Sequence, residues 1–532
     1  MISSVESRQH EAVHTTQDSQ TTRREQFEIK FPVCNDLWMD NGLETFYSVL
    51  NDFRNDNFEI TIENNSLIIR IDDFKKFKED LGNAIKNRRT NLIIIDSDKK
   101  TGEKKEIKKD YILIQEEAKI KGKVAFKEKI YNDTTTDSAI NELFDLISEK
   151  NGKHTCAVCG LQFSKQFKKL QQGAYPFVTK IKSLSGIRSY KDGTYLSLNE
   201  YFDDFCPTCY LLGILEWLDD GIIYRTTPGI KSTLFLPQFN TLEEFITFKN
   251  NYRPLLNKNN RYRNIRVDIK SQETENPPGT YSTLLCFYEK FFSWIDTKNF
   301  MGRSWTIIDI PFGAVKNLKC ESVNLNESIL NVVKRLSRNQ DNQVRIYSEI
   351  ITDIFFFYDH PKGAPVDWDF TNAIRENLCK SLLKDDFHSF AKQLLPKKGG
   401  HVGYSTDVRE NLDELIVLWR FVRMGIPKES LDTIKSVGNI VAKASKNNQS
   451  LFYKLDKART IDEFWSVLRE VSRKLISFDE ADKQMMKPTA FDGIIQLVKE
   501  QENNWKEVRD LLIVYSAMYY AIGSRKGGET NG

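Results

Sequence analysis

Histidine is scarce in this chain, with six in 532 residues, and those of the folded region stand at no metal-ligand spacing from one another. There is no His-Asp pair, no His-x-Glu, no P-loop, no Gly-Gly-Asp-Asp and no Gly-x-Ser-x-Gly, so the recurrent hydrolase, polymerase, nuclease and NTPase signatures are missing. The sequence reads as a non-enzyme. Glycine and proline are modest at 26 and 14, which excludes collagen-like and low-complexity chains. Charge of one sign is also lacking: 77 basic against 74 acidic residues leave a net charge of +3. Any polyanion-binding surface must therefore come from local segregation of charge.

Long apolar runs are missing too. The best candidate, Leu511 to Ile522, contains Ser516 and follows Arg509 and Asp510, and falls short of the roughly 18 apolar residues of a span. It reads as a buried helix. Met1 to Arg24 is rich in Ser, Thr and Gln with no apolar h-region. The expectation is a soluble, cytoplasmic protein with no membrane partner, whose eight cysteines are thiols or metal ligands and not a disulfide framework.

What is present is a globular mixture: 40% hydrophobic and 28% charged residues, with 34 Phe, 20 Tyr and 8 Trp. The length predicts several structural units, and the pattern predicts an α+β multidomain chain. A polar tail (1–25) precedes a mixed α/β part (26–150), a cysteine-marked insert (151–217) and a second α/β part (218–368). An all-α helical bundle (369–526) and a short tail (527–532) follow.

Phe27 to Phe31, Ile60 to Ile62 and Leu67 to Ile71 read as strands, and Asn91 to Asp96 as one arm of a long hairpin facing Tyr111 to Gln115. Helices are expected near Leu43–Phe53, Phe74–Lys86 and Leu284–Ile295, and strands at Trp305–Ile310 and Val344–Tyr347. In the last third, Asn411–Met424 carries a helical apolar period, and Thr460-Ile-Asp-Glu463 is a capping box opening another helix. A final helix is expected from about Asn503 to Ile522.

The sharpest motif is a double one, Cys156-Ala-Val-Cys159 and Cys206-Pro-Thr-Cys209. Two residues between ligands let one tight turn aim both sulfurs at a single ion, and two such turns complete a tetrahedral thiolate shell. That predicts one structural Zn2+ held by Cys156, Cys159, Cys206 and Cys209. Four thiolates leave no open position for catalysis. The alternatives are two unrelated redox pairs or plain buried thiols. His154 is either a replacement ligand or a surface histidine. The remaining cysteines, Cys34, Cys286, Cys320 and Cys379, stand isolated in the sequence.

Between the pairs lie 46 residues, and positions 160 through 198 hold seven Lys/Arg against one Asp. Lys165, Lys168, Lys169, Lys180, Lys182, Arg188 and Lys191, interleaved with aromatic and small polar residues, compose a phosphate-facing segment; the alternative is a solvated loop. A second such stretch holds Lys258, Arg261, Tyr262, Arg263 and Arg266. In the helical part, Lys443, Lys446, Lys454, Lys457, Arg459, Arg469, Arg473 and Lys474 are candidates to track a nucleic-acid backbone, or an ordinary solvated helix face.

Paired Cys-x-x-Cys motifs split by a long basic insert, an α/β front half and a helical last third together resemble the CXXC–CXXC family of CRISPR-associated large subunits. These belong to type I-B Cascade surveillance complexes. The resemblance spans about Gln26 to the end, and only the cysteine pairs are sharp. It implies a non-enzymatic subunit at the 5′ handle end of the CRISPR RNA, beside the handle-capping subunit and the first backbone subunit. Such a subunit reads a protospacer-adjacent motif in double-stranded target DNA and helps open the strands into an R-loop. Tyr190, Gln171, Gln172 and Tyr262 are the candidate wedge residues. The helical bundle then resembles the small subunit and guides the displaced strand. Cleavage falls to a recruited helicase–nuclease, or, in a transposon-associated complex, a transposition adaptor takes its place. The family also implies separate production of the C-terminal part, for which Met424 is one candidate start. The competing readings are a type III or other RNA-binding effector scaffold, and a zinc-containing nucleic-acid enzyme.

Overall fold

The computed structural model describes residues 27–88, 91–97, 104–110, 113–120, 123–130, 133–149, 152–168, 174–175, 189–191, 194–196, 205–219, 221, 223–227, 231–257, 279–294, 304–311, 319–338, 344–358, 366–397, 399–404, 406–421, 428–445, 449–475, 489–500 and 504–526. Across them the protein is mixed α+β, with small antiparallel sheets in front and a helical region behind.

The chain opens on β1 (Phe27–Pro32), α1 (Leu37–Asp52), the hairpin β2 (Phe58–Glu63) and β3 (Ser66–Ile71), and α2 (Phe74–Asn87). β3 lies between β1 and β2, and its near-continuous apolar run fits that central place. Asn64 and Asn65 turn the hairpin at φ of 51° and 56°, left-handed values that asparagine tolerates in a two-residue connection. The helix α1 starts six residues before the apolar period suggested, because the Asp36 carboxylate caps it by accepting the N–H groups of Trp38 (3.0 Å) and Met39 (3.1 Å).

Two further hairpins follow, β4 (Asn91–Ser97) with β5 (Lys104–Asp110) and β6 (Leu113–Ile120) with β7 (Lys123–Ile130), then α3 (Asp133–Ser148). Here the structure corrects the sequence reading. Asn91 to Ser97 pairs with Lys104 to Asp110, and the stretch containing Leu113 to Gln115 belongs to the next hairpin. The nearer strand closes a shorter loop and forfeits less chain entropy, although its charged composition hid it.

The cysteine-marked segment contributes β8 (His154–Thr155), β9 (Gln162–Phe163), β10 (Ser189–Lys191), β11 (Thr194–Leu196) and α4 (Pro207–Leu215). Beyond it a four-stranded sheet runs β12 (Ile223–Thr227), β13 (Lys231–Gln238), β14 (Ser304–Pro311), β15 (Lys319–Asn324), with α5 (Leu242–Asn257) and α6 (Thr280–Trp294) between its second and third strands. Both faces of its centre are buried. Leu234, Leu236 and Ile308 join the front core with the cysteines, whereas Phe235, Trp305 and Ile307 join the core that continues to Ala521. Strand alternation thus couples the two cores through one sheet.

After α7 (Glu327–Arg338), Val344–Tyr347 is not the expected strand: Ile346–Ile350 is a helical turn, begun where the buried Glu289 carboxylate accepts the N–H of Tyr347 at 3.1 Å. The strand comes later, as β16 (Ile354–Tyr358) pairing with β17 (Gly400–Tyr404). The helical region contains α8 (Trp368–Leu383), α9 (Phe387–Leu394), α10 (Thr406–Ile416), α11 (Lys428–Ser445), α12 (Ser450–Lys457), α13 (Ile461–Leu475), α14 (Thr489–Glu500) and α15 (Trp505–Lys526). The capping box is realised: Thr460 Oγ1 accepts the Glu463 N–H (3.2 Å), and Glu463 reaches back to the Thr460 N–H (3.3 Å). Among the described residues no helix is long and apolar enough to cross a membrane.

Candidate metal centre

The two Cys-x-x-Cys motifs are built differently. The first is the turn between β8 and β9, closed by the Cys156 N–H on the Leu161 carbonyl (2.9 Å) and the Gly160 N–H on the Cys156 carbonyl (3.0 Å). Gly160 leaves that turn at φ +72°, a left-handed conformation that glycine adopts without steric cost. The second motif is the start of α4. Cys206 is the N-cap, its Sγ accepting the Cys209 N–H at 3.3 Å, with Pro207 at the first helical position. The Cys206 N–H in turn points at Cys156 Sγ, 3.4 Å away.

Together the turns bring all four sulfurs within 4.8 Å of one another. Cys156 Sγ lies 3.8 Å from Cys209 Sγ, and Cys159 Sγ 3.5 Å from Cys206 Sγ. Those separations are far too long for disulfides, which stand at about 2.05 Å. They match the edge of about 3.8 Å that four sulfurs adopt when each stands about 2.3 Å from a tetrahedral ion. The donor set therefore fits a structural metal. Hydrogen bonds from Cys156, Cys206 and Cys209 hold Cys159 well below the ordinary thiol range. Hydrogen bonds with Cys156 and Cys159 push Cys206 and Cys209 above that range. A divalent cation relieves this conflict by replacing the shared protons.

The surroundings are rigid. Every residue of α4 is buried. A Cβ at Gly42 would overlap the Leu212 carbonyl, so α1 crosses α4 with the two backbones touching, and Trp38 Nε1 donates to the Gly213 carbonyl at 3.0 Å. Phe167 and Phe205 flank Tyr210 edge-on at ring centroids of 5.0 and 6.4 Å.

Below α4 lies a charged cluster that no sequence pattern marked. Lys249 on α5 reaches Asp219 (2.5 Å) and Glu44 on α1 (3.2 Å), and Arg253 reaches the same two carboxylates at 3.2 and 2.7 Å. All four are buried. Burial also raises Glu216 to about 8, although Lys249 pulls the other way; its carboxyl accepts the Thr45 hydroxyl at 3.0 Å. Cys34, isolated in sequence, is likewise brought to the sulfur cluster. It packs beside Cys159 and Cys209, and its hydrogen bond with Cys159 pushes its thiol upward. Its N–H donates to Asp40 (2.8 Å), which burial raises to about 6.

His154 is exposed on β8, its ring 5.4 Å from that of Phe163, and stands outside the four-cysteine group. Lys165 is exposed, and the half-buried Lys168 places its ammonium 5.0 Å over the Phe167 ring. Tyr190 and Lys191 lie on β10, opposite Tyr195 and Thr194 of β11. Lys169, Gln171, Gln172, Lys180, Lys182, Arg188, Lys258, Arg261, Tyr262, Arg263, Arg266 and Lys446 lie outside the described residues. In the helical region Lys457, Arg459, Arg469 and Arg473 are exposed, Lys443 and Lys474 half-buried, and Lys454 is paired with Glu470 at 2.7 Å. No family model, curated protein or solved structure matches this chain.

Proposed function

We propose that this chain is the large subunit of a type I-B CRISPR RNA-guided surveillance complex, a non-enzymatic reader of duplex DNA whose cysteine site holds one structural Zn2+. The observation that carries the proposal is the convergence of Cys156, Cys159, Cys206 and Cys209, the two pairs that flank the basic segment in the sequence. A closed thiolate shell favours a structural ion over a catalytic one, because no position is open for water. Zinc suits four soft thiolates in tetrahedral array better than calcium or magnesium, which prefer oxygen.

In this reading the metal clamps the two ends of the 160–205 segment to the buried α4, so the segment is presented from a stiff base. Its lysines and arginines meet phosphates and set register, while one or two side chains address the groove. The helical region, small-subunit-like, supports the displaced strand through backbone attraction. Sequence recognition is left to base pairing with the guide, a division of labour known in another effector class.

The test is to express the chain with its neighbouring genes and purify it under native conditions. The proposal expects co-purification with an RNA of uniform length, one zinc per chain, and binding of a matched duplex in that assembly. A chain that carries no RNA beside its neighbours and leaves matched duplex unbound refutes it.

A further inference from the structure

A cleft of about 870 Å3 opens among α9, α12, α13 and α15, lined by His388, Lys392, Asp456, Lys457, Arg459, Glu463, Lys506 and Arg509. Its carboxylates are Glu463 and Asp456. Glu463 accepts the backbone N–H groups of Arg459 (2.7 Å) and Thr460 (3.3 Å) as the helix cap. Asp456 stands 3.5 Å from His388 Nε2, and Asp510, behind the wall, lies 2.9 Å from His388 Nδ1 and 2.7 Å from Arg509. Arg509 is buried, and its guanidinium is engaged by Asp510, the Ala458 carbonyl (2.5 Å) and His388 Nδ1 (3.0 Å).

The cations on the rim are different. Among the described residues the side chains of Lys392, Lys457, Arg459 and Lys506 meet no carboxylate. Four unpaired positive groups around one concavity repel one another, and an anion in the cleft converts that repulsion into attraction. The volume falls within the roughly 300–1,000 Å3 of small-ligand sites. A terminal phosphoryl group brings about two negative charges near neutral pH, against about one per phosphate along a strand. So compact a set of cations is matched by several phosphoryl groups in one small molecule.

We infer that this cleft is a binding site for a compact polyphosphate, the di- or triphosphate group of a nucleotide or inorganic polyphosphate. It uses Lys392, Lys457, Arg459 and Lys506. The metal centre and the basic insert take no part in it; Lys457 and Arg459 are shared with the displaced-strand role proposed above, and the oligo(dT) titration separates the two.

The test is calorimetric titration of the full chain at low ionic strength with three probes: inorganic tripolyphosphate, ATP and single-stranded oligo(dT). Tripolyphosphate is expected to bind saturably. The K392Q/K457Q/K506Q variant, altered only at exposed side chains, should bind it at least about tenfold more weakly with an unchanged melting temperature. The control K75Q/K76Q, exposed on α2, should bind like the parent chain. Tighter binding of ATP assigns a nucleotide, and equal binding assigns the polyphosphate alone. No saturable binding of tripolyphosphate, affinity unchanged by the triple variant, or lysine-dependent binding of oligo(dT) alone overturns the inference.

Discussion

The Cys206 sulfur accepts the backbone N–H of Cys209 at 3.3 Å, so one of the four candidate metal ligands is also the cap of the helix that carries another. Capping and coordination ask for the same charge state. A thiolate at a helix N-terminus is favoured by the N–H groups and the helix dipole, and a thiolate is what a metal requires.

Removing the Cys206 sulfur should therefore cost both, whereas Cys209→Ser and Cys156→Ser keep the cap and lose only a ligand. Cys206→Ala, Cys209→Ser and Cys156→Ser are each expected to purify with less than one metal per chain by elemental analysis. Loss of a structural metal is among the few single changes that exceed about 4 kcal/mol, so the front part of the fold should melt well below the parent chain.

Cys34 sits beside the cluster without belonging to the four-sulfur group. Cys34→Ser is expected to retain one metal per chain, with only a small change in melting temperature. A drop in metal content would make Cys34 a ligand and overturn the four-cysteine assignment.

The buried charges joining α1, α5 and the turn that follows α4 stabilise the base on which the centre rests. Lys249→Met keeps the stem of the side chain but leaves Glu44 and Asp219 short of a counter-charge. Breaking a buried pair from one side costs about 3–5 kcal/mol, to be read as a lower urea midpoint at unchanged slope.

Glu216 adds a pH dependence with a definite sign. Its ordinary value of 4.5 is raised to about 8 by burial, so the folded state keeps a proton that the unfolded chain releases. Its contribution is fully present below about pH 4.5 and is lost as pH rises through 8, at no more than about 1.4 kcal/mol per unit. Glu216→Gln should flatten this decline, measured as melting temperature against pH.

If the basic insert meets DNA, Ala at Lys180, Lys182, Arg188 and Lys191 should weaken duplex binding. The slope of log affinity against log salt should flatten by about 0.9 for each phosphate no longer neutralised. An unchanged slope would remove the insert from the interface.

Much of this molecule is legible in its residues alone. The double Cys-x-x-Cys motif announces its own geometry, because a two-residue spacing leaves little freedom for the sulfurs. The Thr460–Glu463 capping box is equally local, and its helix begins where the box places it. The segments whose sequence misleads share a reason. Asn91 to Ser97 points to the wrong partner because its true neighbour, Lys104 to Asp110, lacks an apolar signature. Val344 to Tyr347 is β-rich in composition, yet the carboxylate of Glu289, distant in sequence, holds its backbone in a helical turn.

The amino-acid order alone determined the local pieces: the knuckle turns, the caps, and the amphipathic helices of the last third, each specified within a few residues. Only the tertiary structure decided that the two knuckles meet, that Cys34 joins them, that Lys249 and Arg253 lie buried against Glu44 and Asp219, and that four lysines and arginines ring one cleft. Those juxtapositions join residues tens to hundreds of positions apart. They are settled by which apolar faces pack together, a global competition that no short window of sequence contains.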